Sequence, residues 1–382
     1  MHIFMEVALV AKGNKPVPEN SGQEFAGRRL PLLSYADILL IGIPVALWAE
    51  FAHYPMVAFV ASAAAVLRLA AWMGHATEEV AVHAGPRIGG FLNGTFGNAA
   101  ELIIVILALK QGLFEVVKAS ITGSILGNAL LVLGAACFAG GLKFPNQQFN
   151  RNLARFNASL LFIAMAALVI PSVFHHGNPH PMTEAGLNTL SLWTAIILLG
   201  TYVCSLVFSF KTHAHLFVAE GGVHEKAEWS LGKAIGVLLA ATVGVVLMSE
   251  VLVVSLEPVI HTLGWSELFV GIVVVALVGN AAEHSTAITM AMQNKMEVAV
   301  EIAVGSTTQI ALLVAPVAVL VSHLFGPGMS LEFLPSELVA ILISVLTVNQ
   351  ITRDGETNWL EGLMLLAVYV IIAVAFFFVP AH

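Results

Sequence analysis

The chain contains few charged residues and almost no cysteine. Charged residues make up 10% of its 382 residues, whereas 58% are hydrophobic. Soluble domains are about one quarter charged. The two cysteines, Cys137 and Cys204, both lie in apolar runs, which disfavours a disulfide framework or a thiolate metal site. The composition predicts an all-α membrane protein with most of its length in the bilayer.

Motifs for ATP hydrolysis and for intramembrane proteolysis are also missing. The sequence has no GxxxxGK[ST] loop and no HExxH. Its only two aspartates, Asp37 and Asp354, lie near the ends of apolar segments, whereas an aspartyl intramembrane protease needs two within spans. We therefore expect no enzymatic activity, no cofactor and no nucleic-acid partner.

Long apolar stretches set the expected topology. A spanning helix needs about 20 apolar residues, and about 11 stretches of this chain qualify. They are 36–53, 55–74, 90–111, 115–140, 152–174, 189–211, 230–255, 265–292, 296–323, 335–351 and 360–379.

Basic residues orient these spans. With the N-terminus in the cytoplasm, only Lys110 and Lys118 fall outside and Arg68 lies within a span, as the positive-inside rule requires. Because eleven is odd, the C-terminus is expected outside. The remaining 13 of the 16 Lys and Arg fall inside: Lys12, Lys15, Arg28, Arg29, Arg87, Lys143, Arg151, Arg155, Lys211, Lys226, Lys233, Lys295 and Arg353.

An internal repeat divides the chain. The segment GNAAE occurs at 97–101 and again at 279–283, and 15 of the 36 positions from 97 to 132 match at this offset. Five predicted spans precede a linker and five follow it, so the two halves cross the membrane in opposite directions. Inverted repeats with matching polar helices are typical of secondary transporters, whose site lies where the halves meet.

The predicted organisation follows from this repeat. It comprises a cytoplasmic tail (1–34), an extra N-terminal transmembrane helix (35–54), a first five-helix repeat (55–211), a short cytoplasmic linker (212–229) and a second five-helix repeat (230–379).

The repeated motif carries chemistry for a hard cation. On a helix, Gly97, Asn98 and Glu101 share one face. Two carboxylates with amide and backbone oxygens suit Ca²⁺ better than a soft metal. The predicted cation and proton site comprises Glu101, Glu283, Asn98, Asn280, Gly97, Gly279, Ser306, Gln309, Ser124 and Asn128, with Glu101 and Glu283 as the metal ligands.

Burial and the second carboxylate favour protonation when no cation is present. A cation and protons then compete for one site, which gives cation/H⁺ exchange under alternating access. Helix packing is the alternative role for the small polar residues. Further from the motif, Glu79, Glu250 and His284 are candidates for proton transfer or for a vestibule, with interfacial solvation or packing as the alternative.

The segments GNAAELIIVILALKQG, GSILGNALLVLG and GNAAEHSTAITMAMQNKMEVAVEIAVGSTTQ resemble the Ca²⁺/H⁺ exchanger family of the cation/Ca²⁺ exchanger superfamily. The resemblance runs from about residue 75 to the C-terminus. It implies a ten-helix inverted-repeat core with one extra N-terminal helix, and Ca²⁺ and protons bound alternately at Glu101 and Glu283. It also implies that Glu79 and Glu250 lie in the cytoplasmic vestibule.

Two departures from eukaryotic members indicate a prokaryotic plasma membrane protein. The linker is short, with only Glu220, Glu225 and Glu228 as acidic residues, and the N-terminal tail is short. Ca²⁺, H⁺ and the lipid bilayer are the expected partners, and both a monomer and a homo-oligomer stay open.

Three alternatives remain within membrane transport. Na⁺/Ca²⁺ exchangers of the superfamily usually have a proline before the motif acid, where this chain has Ala100 and Ala282. Exchange of Na⁺ or K⁺ for H⁺ is the second alternative. A cation channel with the paired motif as its filter is the third.

Overall fold

A computed structural model describes residues 35–85, 89, 92, 95–177, 182–213, 227–326 and 328–380. The predicted cytoplasmic tail and most of the predicted linker lie outside the described residues. The chain divides into two units, Met1–Ile38 and Leu39–His382. Within the first unit the structure describes residues 35–38, which belong to the 3₁₀ helix Tyr35–Ile41.

Helices make up most of the second unit. In chain order they are α1 (Gly42–Phe51), α2 (Pro55–Ala84), α3 (Ala99–Lys110), α4 (Phe114–Leu126), α5 (Leu133–Lys143), α6 (Arg151–His176), α7 (Glu184–Val207), α8 (Leu231–Leu263), α9 (Glu267–Phe269), α10 (Ala276–Gly279), α11 (Ala281–Met292), α12 (Met296–Gln309), α13 (Ala315–Ser322), α14 (Pro335–Ile351) and α15 (Trp359–Phe377).

Four short π-helical segments join or extend these helices. They join α4 to α5, extend α7, join α9 to α10 and join α12 to α13. Their bounds are Gly127–Val132, Phe208–Thr212, Val270–Val275 and Ile310–Val314. Two of these segments contain or directly follow a residue of the predicted cation site: Gly127–Val132 contains Asn128, and Ile310–Val314 follows Gln309. π segments often mark functional sites within helices.

One small sheet accompanies the helices. Strand β1 (Gln147–Gln148) pairs antiparallel with β2 (Glu356–Thr357). Both strands lie in polar loops between helices, and two residues are too few to leave a period-two pattern in the sequence. The pairing joins a loop of the first predicted repeat to a loop of the second.

Seven helical segments in the described part of the chain are long and apolar enough to span a bilayer. They are Pro55–Ala84, Phe114–Lys143, Arg151–His175, Glu184–Thr212, Leu231–Leu263, Met296–Ser322 and Trp359–Phe377. The bent pair Glu267–Gly279 and Glu283–Met292 makes up to eight, and α14 is shorter at 17 residues. A multi-pass helical protein is thereby confirmed, whereas the count of eleven stays a prediction.

Helices α2 and α8 are longer than their apolar stretches. Hydropathy predicts helix ends near residues 74 and 255, yet α2 continues to Ala84 and α8 to Leu263. The two helices pack antiparallel, because Leu69 contacts Gly244 while Glu79 contacts the backbone at Trp229. Hydropathy indicates only the part of a helix that fits the lipid. Contacts between α2 and α8 stabilise the helical residues that continue beyond it.

The core lies where the two predicted halves cross. In α4 every residue from Val116 to Leu126 is buried, and α12 with its π segment is buried to a similar extent. Gly123 lies directly against the backbone of Ile272, where a Cβ would overlap the neighbouring carbonyl. This close approach holds the two halves together next to the repeated motifs.

Candidate functional site

Both copies of the repeated motif lie at breaks in a helix. Gly97 and Asn98 form a turn before α3, and Asn280 separates α10 from α11. The backbone angles of the two asparagines nearly coincide, with φ and ψ of −100° and 23° at Asn98 and of −96° and 12° at Asn280. At the second motif the helix bends by 61°. The two motifs therefore share a local geometry as well as a sequence.

The asparagine side chains bind across the predicted halves. Asn98 donates from Nδ2 to Oε1 of Gln309. Asn280 donates to Oγ of Ser124 over 2.8 Å and accepts from Nδ2 of Asn128 over 2.6 Å. Each asparagine thus contacts the Gly-Ser helix of the opposite half, so these five predicted residues lie together.

Glu101 is buried deep in this cluster. Its side chain is 4% exposed, and neither carboxylate oxygen has a hydrogen-bond partner among the described residues. A Cβ at Gly279 would lie 3.1 Å from Cγ of Glu101, so the glycine makes room for this side chain. An unpartnered buried carboxylate is costly and marks a functional site within a membrane.

Glu283 faces a cavity beside Glu101. One of its carboxylate oxygens is buried and unpartnered within the described part of the chain. The two carboxylates lie close enough to repel each other when both are ionised. Asn98 also has an unpartnered buried Oδ1. The cluster thus presents oxygen atoms without donors, an arrangement that suits a cation or added protons.

The cavity connects this cluster to one end of the helix bundle. It has a volume of about 670 Å³ and is lined at its inner end by Gly97, Gly279, Glu283, Ser306 and Gln309. Toward the opening it passes the C-terminal part of α2, the start of α6, the end of α7 and the turn between α11 and α12. The sequence analysis assigns all these helix ends to the cytoplasmic side.

The residues predicted away from the motif lie in different places. Glu79 accepts hydrogen bonds from the backbone nitrogens of Glu228 and Trp229 over 2.9 and 3.0 Å, so it anchors the end of the predicted linker. His284 is absent from the residues lining the cavity, and its Nε2 is buried without a partner among the described residues.

The implied vestibule position of Glu250 needs correction. Glu250 pairs with Lys110 over 3.9 Å and lies in the second half of α8, away from Trp229. Since α8 rises about 1.5 Å per residue, Glu250 lies about 30 Å along the helix from the residues that contact Glu79. The two acids therefore lie far apart along the bundle, because Glu79 contacts the residues that precede α8 whereas Glu250 lies in its second half.

Two further acids, Glu78 and Glu301, line the cavity and lie outside the predicted set of site residues. Glu78 lies near the opening and pairs with His75 over 3.8 Å. Glu301 lies on α12, four and eight residues before Gly305 and Gln309, which also line the cavity. Its helical spacing from the predicted site residue Gln309 is a sequence signal that points to Glu301.

Comparison with known proteins identifies the family. The model of the sodium/calcium exchanger protein family matches residues 54–211 and 233–378. The chain therefore belongs to the sodium/calcium exchanger protein family. The predicted resemblance to exchangers of this superfamily is confirmed.

The relatives include named bacterial antiporters. The chain is 46% identical over 363 residues to the "Ca(2+)/H(+) antiporter" of Synechocystis sp., covering 90% of this chain and 97% of that protein. It is 48% identical over 346 residues to "Ca(2+)/H(+) antiporter ChaA" of Bacillus subtilis, with 89% and 97% covered.

Solved structures share the fold. The structure of native YfkE superimposes with a TM-score of 0.79 at 46% identity, covering 90% of this chain and 99% of that one. The H⁺/Ca²⁺ exchanger CAX superimposes with a TM-score of 0.70 at 15% identity, covering 90% and 91%. The latter similarity concerns the fold alone.

Proposed function

We propose that this protein is a secondary active transporter that exchanges Ca²⁺ for H⁺ and exports Ca²⁺ from the cytosol. The observation that carries the proposal is the pair Glu101 and Glu283, two carboxylates with unpartnered oxygens where two broken helices meet at the end of a cavity. Relatives of 46% and 48% identity named as Ca²⁺/H⁺ antiporters support the same activity.

Ca²⁺ fits the oxygen atoms that this cluster offers. Calcium takes six to eight oxygen ligands, preferably carboxylates and carbonyls. Glu101, Glu283 and the amide oxygen of Asn98 are the proposed ligands, with water from the cavity completing the shell. Gln309, Ser124 and Asn128 hold the two asparagines in position through the hydrogen bonds described above.

Exchange follows from charge neutralisation. Two ionised carboxylates balance one Ca²⁺, and two bound protons remove the same charge. A bare carboxylate pair in low dielectric is expensive, so the site closes over Ca²⁺ or over protons but resists closure when empty. Because closure requires one of the two, transport in one direction is coupled to transport of the other species in return.

The proposed membrane topology is the one predicted from the sequence. Eleven spans comprise one N-terminal helix and two inverted five-helix repeats, with the boundaries given in the sequence analysis. The N-terminus lies in the cytoplasm and the C-terminus outside, in a prokaryotic plasma membrane. With this orientation the cavity opens toward the cytoplasm, so the described conformation is the inward-facing one.

Flux coupling in liposomes tests the proposal. Purified protein is reconstituted with an acidic interior, and uptake of radiolabelled Ca²⁺ is recorded together with the lumenal pH, in the absence of Na⁺ and K⁺. We expect Ca²⁺ to enter only with a pH gradient and protons to leave in return. Uptake that ignores pH and follows an added Na⁺ gradient would assign the protein to Na⁺/Ca²⁺ exchange. Uptake that needs no counter-ion would indicate a channel.

A further inference from the structure

The acid Glu301 lies in the cavity between the opening and the two motif glutamates. Cavity-lining positions of α12 follow one helical face, Val298, Glu301, Gly305 and Gln309, from the opening to the motif. Glu301 therefore borders the cavity through which a cation reaches Glu283 from the opening.

The depth of Glu301 follows from the helix hairpin formed by α11 and α12. Glu283 precedes the end of α11 by nine residues and Glu301 follows the start of α12 by five. At 1.5 Å per residue these positions lie about 13 Å and about 8 Å above the turn. Glu301 is thus about one helical turn closer to the opening than Glu283.

Glu301 has no partner that would account for it as a structural charge. Its side chain is exposed to the cavity, and within the described residues it makes no hydrogen bond and no ion pair. The nearby Lys295 lines the same cavity, but it precedes α12, six positions before Glu301, and no ion pair joins the two in the described ranges.

The sequence repeat indicates that this carboxylate serves one side of the membrane only. The repeat offset aligns Glu301 with Ala119 of the first half. Ala119 is fully buried and packs against Gly271. The first half therefore has a small apolar residue where the second half has a carboxylate, although both halves keep the motif glutamate.

We propose that Glu301 collects Ca²⁺ on the side to which the cavity opens and so gives that side the higher apparent affinity. The inference rests on the proposed exchange activity. A carboxylate at this depth attracts the divalent ion before it reaches Glu101 and Glu283, whose unpartnered oxygens form the destination. An exporter benefits from this asymmetry, because free Ca²⁺ is scarce on the side from which it is taken.

The test compares Glu301→Gln with wild type on both faces of the membrane. Everted and right-side-out vesicles expose opposite faces, and initial rates of radiolabelled Ca²⁺ uptake under an imposed pH gradient give KM and the maximal rate for each. We expect KM on the cytoplasmic face to rise at least about 4-fold, the effect in bulk water of losing one charge about 10 Å from a divalent ion. KM on the outer face and both maximal rates should stay within error.

Two further variants make the result specific. Glu301→Asp keeps the charge and should restore most of the affinity. Glu356→Gln removes a carboxylate from the same side of the membrane but outside the cavity, where Glu356 accepts from Asn146, and should leave KM unchanged. The effect of Glu301→Gln should also shrink in high salt, because screening weakens attraction at a distance.

The outcomes separate this inference from the proposed function. Wild-type vesicles that fail to exchange Ca²⁺ for protons would remove the proposed function and the inference together. If wild type exchanges normally, an equal KM for Glu301→Gln and wild type, or an equal shift on both faces, would overturn the inference alone. A loss of maximal rate without a change in KM would also overturn it, because Glu301 would then act on the exchange step.

Discussion

Neutralising Glu101 gives the sharpest test of the carboxylate pair. In Glu101→Gln the side chain keeps its shape in the space beside Gly279, and it loses one of the two charges that face Ca²⁺. Removing one partner from a buried charged interaction costs about 3–5 kcal/mol. That range corresponds to a fall in Ca²⁺ affinity of about 10²- to 10³-fold or more.

The assay for this variant separates transport from folding. Ca²⁺ uptake driven by a pH gradient should fall below detection in liposomes, while the protein elutes as wild type in detergent. Glu337→Gln is the matched control, because Glu337 is also buried, at 2% exposed, but accepts hydrogen bonds from Thr122 and from the backbone of Leu334 away from the cavity. That control should keep exchange activity.

One result would refute the reasoning about the site. Glu101→Gln protein that exchanges Ca²⁺ for protons with the wild-type KM would mean that the unpartnered carboxylate takes no part in binding. If Glu101→Gln and Glu337→Gln lose activity equally, the loss comes from removing any buried carboxylate and not from removing a Ca²⁺ ligand. Either outcome leaves the family assignment intact, because that assignment rests on sequence and fold.

Three further predictions concern the same cluster. Gly279→Ala should weaken Ca²⁺ binding by about 1–3 kcal/mol, because the added Cβ crowds Glu101; titration of Ca²⁺-dependent uptake measures this, and an unchanged KM contradicts it. Asn280→Ala leaves Ser124 and Asn128 without their partner and should cost about 1–3 kcal/mol of thermal stability; a shift no larger than that of a surface Asn→Ala variant would count against the cross-half bonds. Lowering the cytoplasmic pH should raise the KM for Ca²⁺, since protons occupy the same carboxylates, and saturating Ca²⁺ should recover the rate; a KM indifferent to pH argues for separate sites.

Local sequence signals predicted most of the helices and the central residues. Eight of the eleven predicted spans correspond to described helical segments that are long and apolar enough to cross a bilayer. This number counts the bent pair Glu267–Gly279 and Glu283–Met292 as one span. The breaks at Asn98 and Asn280 fall within the repeated motif, which the sequence analysis placed on a helix. A repeat in register is a strong signal because it constrains position as well as composition.

Other features depend on chain segments that are distant in sequence. The family resemblance grouped Glu250 with Glu79 in the vestibule, whereas the packing of α2 against α8 sets the two acids far apart. Glu301 lay within a predicted span with no repeat partner, so only its helical spacing from Gln309 pointed to it, and the face of α12 that lines the cavity is set by packing. Strands β1 and β2 form because two loops meet, which no single stretch of the chain encodes.

The sequence by itself determined that the protein is a multi-pass membrane protein with a duplicated Gly-Asn-Ala-Ala-Glu motif and therefore two glutamates in matching sequence contexts. Hydropathy and repetition are local properties, readable without contacts. Only the tertiary structure decided that Asn98 meets Gln309, that Asn280 meets Ser124 and Asn128, and that the cavity reaches this cluster from one side. Those relations arise from the crossing of two halves, and the direction of a cavity depends on how every lining helix is packed.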